Sequence, residues 1–171
     1  MPCAITGGYT IDCRESVGGI QTLWVLEKSN ITSYTESSGT LSAITLASTG
    51  TTFFKIEVPR GTAFSTNTLT ASQENGTVFY TQGIDFPINS RSASVRNLIN
   101  VLAKNKCTFV TLEGDGLYRM YGAKFGLFMD SAEAGSGTAL GDRNGYMCKF
   151  SSNETEDFLV CPSGVIVSKL G

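Results

Sequence analysis

Short runs in which apolar and polar residues alternate follow one another along most of this chain, a pattern typical of half-buried β-strands. Each run is rich in β-branched or aromatic residues and ends at Gly, Asn, Ser or Pro, which favour turns. Outside the central region, the pattern predicts strands at 19–27, 40–47, 52–58, 107–113, 116–122, 124–129, 145–151, 157–161 and 164–170. GDG at 114–116 predicts a tight hairpin turn.

The longest strand-like runs form a predicted hairpin over 62–88. Its arms are TAFSTNTLTASQ (62–73) and VFYTQGIDFPI (78–88), and they are separated by ENGT (74–77). Asn-Gly between two extended runs predicts a type I′ turn, in which both central residues have φ > 0. At about 3.3 Å per residue the arms span roughly 35 Å, about twice the usual strand.

The two arms of this hairpin differ in polarity. In the second arm the apolar residues share one face, which we expect to be buried: Val78, Tyr80, Ile84, Phe86 and Ile88. In the first arm most positions are polar, with Phe64, Thr66, Thr68, Thr70 and Ser72 on one face. Threonine has a high β propensity and stays polar, so this arm gives its own monomer little surface to bury.

One helix is predicted over 92–106. Val95, Leu98, Ile99 and Leu102 fall at i, i+3, i+4 and i+7 and give one apolar stripe. Ser92 or Ser94 is suited to cap its start. Many strands and one covering helix predict a mainly β chain, with one domain over 1–171. The expected fold is an antiparallel β-sandwich or barrel with a long hairpin and one flanking α-helix.

The segment DSAEAGSGTALGDRNG (130–145) shows neither a strand nor a helix pattern and is predicted to be a long loop. Loops of this length inside a domain are either functional or disordered. Two interpretations stay open. The segment is a solvated flexible loop, or it becomes ordered against a neighbouring subunit.

Composition narrows the class of protein. The 171 residues carry a net charge of −2, which argues against a basic nucleic-acid-binding face. The five cysteines are odd in number and lack C-x-x-C spacing, so we expect buried thiols in a reducing compartment. The N-terminal segment MPCAITGGYT does not predict a signal peptide, and no run is long enough for a membrane helix.

Catalytic motifs are scarce in the sequence. Histidine is absent, which removes the commonest general base and the Ser-His-Asp and Cys-His arrangements. Phosphate-binding and calcium-loop motifs are absent as well. Carboxylates cluster in SSNETED (151–157) and in 130–145, but such clusters are usually solvated. The sequence therefore predicts neither an enzyme nor a cofactor.

The length of the hairpin raises the question of what covers it. A long ribbon that reaches beyond its own domain exposes an unpaired strand edge, which soluble proteins avoid. Pairing with the same ribbon on neighbouring copies would close a ring with a polar, threonine-rich lining. The alternative is a monomeric sandwich with one long polar hairpin.

Several segments resemble tail-tube-like virion proteins of tailed bacteriophages, above all a set from phages of Bacteroidetes hosts that includes crAss-like phages. The resemblance is carried by CAITGGYTIDCRESVGGI (3–20), ASQENGTVFYTQ (71–82) and GTALGDRNGYMCKFSSNETEDF (137–158). It implies a β-sandwich or barrel with one flanking helix and hexameric rings that stack into a conduit. The implied partners are further copies of the chain, other phage tail or connector proteins, and genomic DNA in transient passage. The implied location is the virion tail, assembled in the host cytoplasm, without a membrane partner.

Carried onto this sequence, the resemblance implies that 62–88 supplies the channel wall. The channel or rim candidates are Glu74, Asp85, Thr66, Thr68 and Thr70. The candidates for contacts between subunits or rings are Asn75, Gly76, Asp130, Glu133, Asp142 and Arg143, together with the segment 7–19. The competing hypothesis is a binding module that recognises a surface ligand. It predicts exposed aromatic residues in loops, whereas Trp24, the sole tryptophan, lies in a strand-like run and is expected in the core.

Overall fold

A computed structural model describes residues 7–9 and 17–171 and shows two β-sheets with a flanking helix, which confirms the predicted mainly β fold. The strands are β1 Ile20–Glu27, β2 Ile31–Ser37, β3 Thr40–Leu46, β4 Phe54–Ile56, β5 Phe64–Ser72, β6 Thr77–Ile88, β7 Cys107–Glu113, β8 Tyr118–Tyr121, β9 Phe128–Gly135, β10 Gly145–Glu154 and β11 Leu159–Cys161. The helices are α1 Ala93–Lys104 and α2 Ser163–Ile166, and 3-10 turns occur at Lys28–Asn30 and Val167–Lys169.

The larger sheet has seven strands in the order β2-β3-β11-β8-β7-β1-β4. All neighbours are antiparallel except β11 and β3. The central strands β1 and β7 are buried on both faces, so successive residues enter different cores. In β1, Leu23 and Val25 face one core, whereas Trp24 and Leu26 face the other. The run of apolar residues in this strand follows from that double burial.

The first core lies between the seven-stranded sheet and a four-stranded sheet of order β5-β6-β10-β9. Three aromatic rings fill its centre. Phe150 stacks on Phe86 with ring centroids 5.8 Å apart, and it meets Phe109 edge-on at 4.8 Å. Because such pairs add to the free energy gained by burial, this cluster fixes the two sheets against each other.

The second core lies on the opposite face of the seven-stranded sheet and is closed by the C-terminal residues. Ile166 is fully buried there, and the Trp24 indole N–H donates to the Gly171 carbonyl at 3.2 Å. Trp24 is therefore a core residue, as predicted. The predicted strand at 164–170 is wrong, because α2 and a 3-10 turn occupy most of this segment. Pro162 precedes α2, and Gly164 lies within it.

The predicted hairpin is present, and every residue of β5 is paired with β6. The predicted type I′ turn is wrong. Ser72 pairs with Thr77, which leaves a four-residue loop, and only Gly76 within that loop has a positive φ, of 63°. Four-residue loops are built around ordinary turns, and they require a left-handed residue only near their end. The turn predicted at GDG is confirmed, since it joins β7 to β8 with Gly116 at φ 81°.

Helix α1 agrees with the predicted 92–106 segment. The Ser92 hydroxyl accepts the Val95 backbone N–H and caps the helix. Ile99 and Leu102 are buried between the sheets, but Leu98 is 41% exposed, so the buried stripe is narrower than predicted. No helix among the described residues is long and apolar enough to cross a bilayer.

Two further predictions need correction. The first six residues of the predicted loop 130–145 belong to β9, which pairs with β10, so the loop spans only 136–144. Strand β9 is covered on only one face, and the residues on that face include small alanines. The strand therefore shows no clear alternation of large apolar and polar residues. Strand β2 was not predicted, and in it only Ile31 is fully buried.

The cysteines described by the structure behave as the composition predicts. Cys107, Cys148 and Cys161 are buried free thiols. Burial raises the pKa of Cys107 and of Cys161 to about 12, and that of Cys148 to about 11. These thiols therefore stay protonated and unreactive near neutral pH. Cys3 and Cys13 lie outside the described residues.

Candidate functional site

The four-stranded sheet has one face in the core and one face in solvent, here called the outer face. Ile84 and Phe86 of β6 and Cys148 and Phe150 of β10 point into the core. Because side chains alternate along a strand, their neighbours point outward. The outer face includes the polar residues Thr66, Thr68, Thr70, Thr81, Asp85, Ser131, Lys149, Ser151 and Asn153. It also carries Phe64, Phe79, Phe128 and Met147, of which Phe64 and Phe128 are each 48% exposed.

Gly83 opens space on the outer face for the first of these threonines. Thr66 and Ser151 are the register partners of Gly83 on the two neighbouring strands. A Cβ atom added to Gly83 would lie 2.6 Å from the Thr66 Oγ1. The glycine therefore lets the Thr66 side chain lie across the sheet, whereas Phe128, the register partner of Ser151 in β9, ends the same row with an exposed ring.

The charges on the strands of the outer face are mainly acidic. Asp85 is the register partner of Lys149 in β10, and Asp130 accepts a hydrogen bond from the Ser151 hydroxyl at 2.5 Å. Burial raises the pKa of Asp85, with a further increase from Asp130 and a partial offset from Lys149. Glu133 lies opposite Met147 on the same face. On the strands three carboxylates outnumber the one lysine. Two cations from outside the strands contact this face, Arg143 at Met147 (3.8 Å) and Lys106 at the Phe128 ring (5.2 Å), so the face is close to neutral overall.

The hairpin continues beyond the sandwich as a two-stranded ribbon. Strand β10 pairs with β6 only from Tyr80 onward, so the first residues of β6, 77–79, pair with β5 alone. We call residues 68–81 the distal ribbon. One of its faces continues the outer face, and the other carries Leu69, Ala71, Val78 and Tyr80. Leu69 and Val78 are 54% and 56% exposed. The distal ribbon is thus a strand pair with an uncovered apolar face.

Polar contacts between the sheets anchor the part of the hairpin that precedes this ribbon. The Tyr121 hydroxyl donates to the Ser65 Oγ at 3.0 Å, and the Asn67 side-chain amide donates to Asp157. Gln82 is 2% exposed and bonds to the backbone of Gly122, which follows β8, and of Glu156, in the loop between β10 and β11. Sequence reasoning missed this glutamine, because its polar side chain gives no sign of burial.

The structure places the predicted site residues in three groups. Thr66, Thr68, Thr70, Asp85, Asp130 and Glu133 share the outer face. Glu74, Asn75 and Gly76 form the exposed tip of the distal ribbon. Asp142 and Arg143 lie in the loop 136–144, where the Asp142 carboxylate accepts the N–H groups of Thr138 and Ala139, both at 2.8 Å. These hydrogen bonds lower the pKa of Asp142. Of the segment 7–19, residues 10–16 lie outside the described residues.

The tip residues Glu74, Asn75 and Gly76 lie at one end of the four-stranded sheet. Asp142 and Arg143, in the loop 136–144, lie at the opposite end. Glu154 pairs with Tyr80 at the end that carries the distal ribbon, and Tyr146 pairs with Ile88 at the end that carries the loop 136–144. Strands β5 and β9 form the two lateral edges of this sheet. Within the described part of the chain, no strand pairs with the outer side of either edge.

Sequence reasoning also missed an apolar groove between α1 and the edge of the seven-stranded sheet. The groove has a volume of about 300 Å³ and is lined by Val25, Leu26, Glu27, Asn30, Phe54, Leu98, Val101, Leu102, Asn105 and Cys107. Phe54 and Val101 are 66% and 56% exposed. Leu98 belongs to the apolar stripe found in the sequence, which predicts burial. Its exposure depends on how α1 packs against the two sheets.

Among residues 7–9 and 17–171, no three histidine, cysteine, aspartate or glutamate side chains form a group that could hold a metal ion. Comparisons with protein-family models, with curated proteins and with solved structures find no match for this chain. A functional assignment therefore rests on the surfaces described above.

Proposed function

We propose that this chain is a virion structural protein of a tailed bacteriophage, whose hexameric rings stack into a tail tube or a connector conduit for DNA. The main support is the outer face of the four-stranded sheet. It is extended, rich in threonine and close to neutral, with Phe64, Phe79 and Phe128 among its polar residues, and it lies between two free strand edges. The sequence resemblance agrees with this proposal and supplies the ring size.

The free edges give a way to close a ring. An exposed edge strand presents unpaired N–H and C=O groups that favour pairing with another chain. The edges β5 and β9 belong to different sides of one sheet, so pairing β5 of one copy with β9 of the next is a head-to-tail contact. Repeated head-to-tail contacts produce a closed ring or an open helix. In the ring, the outer faces of all copies form one continuous wall.

The chemistry of the outer face suits the passage of DNA without retention. Lysine and arginine side chains bind phosphates through release of counterions. On its strands the outer face has one cation, Lys149, opposite Asp85 in the register. Arg143 and Lys106 contact this face at Met147 and Phe128, and Asp130 and Glu133 balance their charge. Threonine and serine hydroxyls keep the wall wetted while they add no net charge. Genomic DNA therefore meets little net charge and few binding sites.

The two ends of the four-stranded sheet supply contacts along the axis of such a conduit. The distal ribbon projects from one end, and the loop 136–144 lies at the other. Rings stacked in one orientation would bring the ribbon end of the sheets in one ring against the loops 136–144 of its neighbour. Other tail or connector proteins would bind the exposed ends of the stack.

A β-sandwich module that binds a surface ligand is the second candidate. It is favoured by Phe125, an aromatic residue that is 45% exposed in the turn between β8 and β9. The other large aromatic side chains exposed within the sheets, Phe54, Phe64 and Phe128, lie on strands. Under this candidate the protein is a monomer with a ligand site at its loops.

Electron microscopy of the negatively stained protein, combined with light scattering over a concentration series, tests the proposal. Six-fold rings or tubes with an open centre are expected. A monodisperse monomer of 18.2 kDa at every concentration would overturn the proposal and favour the binding module.

A matched pair of variants tests the role of the sheet edge. Successive N–H groups of a strand point to opposite sides, so one of Glu133→Pro and Ala134→Pro removes an outward donor from β9 and the other removes a donor to β10. We expect the variant that loses the outward N–H donor to stay folded and to form no rings. Normal rings from both folded variants would exclude β9 as the ring contact.

A further inference from the structure

The distal ribbon has an apolar face for which its own subunit provides no cover. Leu69, Ala71 and Val78 have the same orientation as the core residues Ile84 and Phe86, but they lie at or beyond the end of the sandwich and are exposed. Tyr80, on the same face, is half-buried beside Phe158 and is not part of the uncovered surface. Leu69 and Val78 are more than half exposed. Exposed apolar clusters of this kind mark surfaces for association.

The groove beside α1 is the counterpart of this face in chemistry and in shape. It is concave and is lined mainly by aliphatic side chains and by Phe54. Its open side includes Leu98 and Val101, which point away from the core. A volume of about 300 Å³ is enough for several aliphatic side chains, such as the leucine and valine of the ribbon.

The charges around the two surfaces are complementary. Glu74 at the tip is the only charged residue between 62 and 84. The groove shares Glu27 and Asn105 with a second depression, whose lining includes Lys28, Lys104 and Lys106. Three lysines and one glutamate make this rim basic. Lys104 is exposed and forms no ion pair among the described residues.

The groove cannot receive the ribbon of its own copy. The ribbon is fully paired along β5 and is anchored at its base, and its tip is exposed in the structure. Helix α1 contacts β9, so the groove lies on the β9 side of the four-stranded sheet, whereas β5 is the opposite edge. A neighbour that presents its β5 edge to β9 brings its ribbon toward the groove.

We propose that the distal ribbon of one copy docks in the α1 groove of the next copy. Leu69 and Val78 enter the groove between Phe54, Leu98 and Val101, and Glu74 meets the basic rim at Lys104. This inference rests on the proposed function in that both require copies of the chain to associate head to tail. It adds a second contact, separate from the pairing of sheet edges.

Two single substitutions test the contact from its two sides. Leu69→Asp places a charge on the ribbon and leaves the groove intact, and Val101→Asp does the reverse. Both residues are exposed, so the fold should persist, as checked by the thermal midpoint. We expect each variant alone to self-associate at least about tenfold more weakly than the wild type. Thr70→Asp, on the opposite face of the same ribbon, is the matched control and should leave this contact in place.

Mixing the variants identifies the direction of the contact. The Val101→Asp copy keeps a functional ribbon, and the Leu69→Asp copy keeps a functional groove, so an equimolar mixture restores one contact per pair. Sedimentation velocity should show stronger association in the mixture than in either variant alone. A ribbon that instead paired with another ribbon would give no recovery. Glu74→Lys should weaken association, and Lys104→Glu on the other copy should restore it.

The outcomes separate this inference from the ring proposal. Rings that assemble and stack normally in both aspartate variants would overturn the ribbon contact and leave the ring proposal standing. If the wild type forms open chains instead of rings, and neither aspartate variant forms these chains, the ribbon contact is supported and the ring proposal is overturned. A wild-type monomer at the highest attainable concentration would overturn both.

Discussion

The side chain of Gln82 accepts the backbone N–H of Gly122 at 2.8 Å and so joins the four-stranded sheet to the seven-stranded sheet. Its Nε2 donates to the Glu156 carbonyl at 3.1 Å. Gln82 thus satisfies two backbone groups at the level where the hairpin leaves the sandwich. Because a buried backbone group without a partner is costly, this one residue fixes the base of the ribbon.

Replacement of Gln82 by Leu should destabilise the protein strongly. The substitution leaves the Gly122 N–H and the Glu156 carbonyl without their partner, and each such loss costs roughly 1–3 kcal/mol when the group is buried. We expect the free energy of unfolding to fall by about 2–4 kcal/mol in urea titrations. The control is Thr81→Val, which removes an exposed hydrogen bond to Asn153 and should cost below about 1 kcal/mol. Equal losses would contradict the role assigned to Gln82.

The strands that bury apolar residues on at least one face could be predicted from the sequence, because burial imposes a periodic pattern. The arm 78–88 and the run 107–113 show this clearly. Strand β2 and most of β9 could not be predicted, since their partners cover them only in part and their polar residues face solvent. The segment 164–170 has the composition of a strand, but it meets the second core as helical turns at the end of the chain.

The candidate site was only partly predictable for a related reason. Thr66, Thr68 and Thr70 share one face by simple alternation, so their grouping follows from the sequence. The contribution of Asp130 to the same face depends on a register irregularity opposite Lys149 and Phe150, which no local pattern specifies. The groove beside α1 depends on the angle of the helix on both sheets, which is a property of tertiary packing.

Glu154 should give a measurable pH dependence of stability. Its carboxylate is 2% exposed and accepts the N–H groups of Phe125 and Gly126, each at 3.1 Å. Burial nevertheless raises its pKa, against the opposing effects of these N–H groups and of Lys28. Because the folded state holds the proton more tightly than the unfolded state, the contribution of Glu154 is full below the unfolded pKa. It is lost as pH rises through the folded pKa.

Comparison with Glu154→Gln isolates this effect. The glutamine keeps one acceptor but directs an NH₂ group toward backbone donors, which should destabilise the variant relative to the wild type by roughly 1–3 kcal/mol at low pH. The difference in unfolding free energy between wild type and variant should narrow as pH rises from about 4 toward 7. Chemical denaturation at several pH values measures it. A difference that widens with pH would mean that the backbone hydrogen bonds outweigh burial.

The tip of the ribbon should tolerate substitution at Asn75 but not at Gly76. Gly76 has φ 63°, a left-handed conformation that costs a residue with a Cβ roughly 1–2 kcal/mol. Asn75 has no positive φ, and its N–H donates to the Ser72 hydroxyl at 3.3 Å. Replacing Asn75-Gly76 with Ala-Ala should therefore distort the tip and weaken assembly, while the core stays folded.

The single variants show which residue is responsible. Gly76→Ala should reproduce the loss of assembly seen for the pair, and Asn75→Ala should assemble almost as the wild type does. Light scattering measures assembly, and the thermal midpoint reports on the core. Normal assembly of the double variant would show that the tip makes no contact between copies.

Positive charge added to the outer face tests whether DNA passes along it. The triple variant Thr66→Lys, Thr68→Lys and Thr70→Lys changes the net charge from −2 to +1 (−2 + 3 = +1). The control places the same three charges on the exposed side of α1, at Asn97, Asn100 and Ala103. In assembled rings the outer-face variant should bind DNA with an affinity that falls steeply with salt, by a slope of about −0.9 for each phosphate contacted. The wild type should bind DNA far more weakly.

Protection from nuclease distinguishes the interior of a ring from its exterior. DNA held by lysines on the outer face of the sheet lies inside the conduit and should resist digestion, whereas DNA bound to α1 lies outside and should be cut. Both variants have the same net charge, so a difference between them reports on position alone. Equal binding and equal digestion would show that the threonine face does not line a channel, even if rings form.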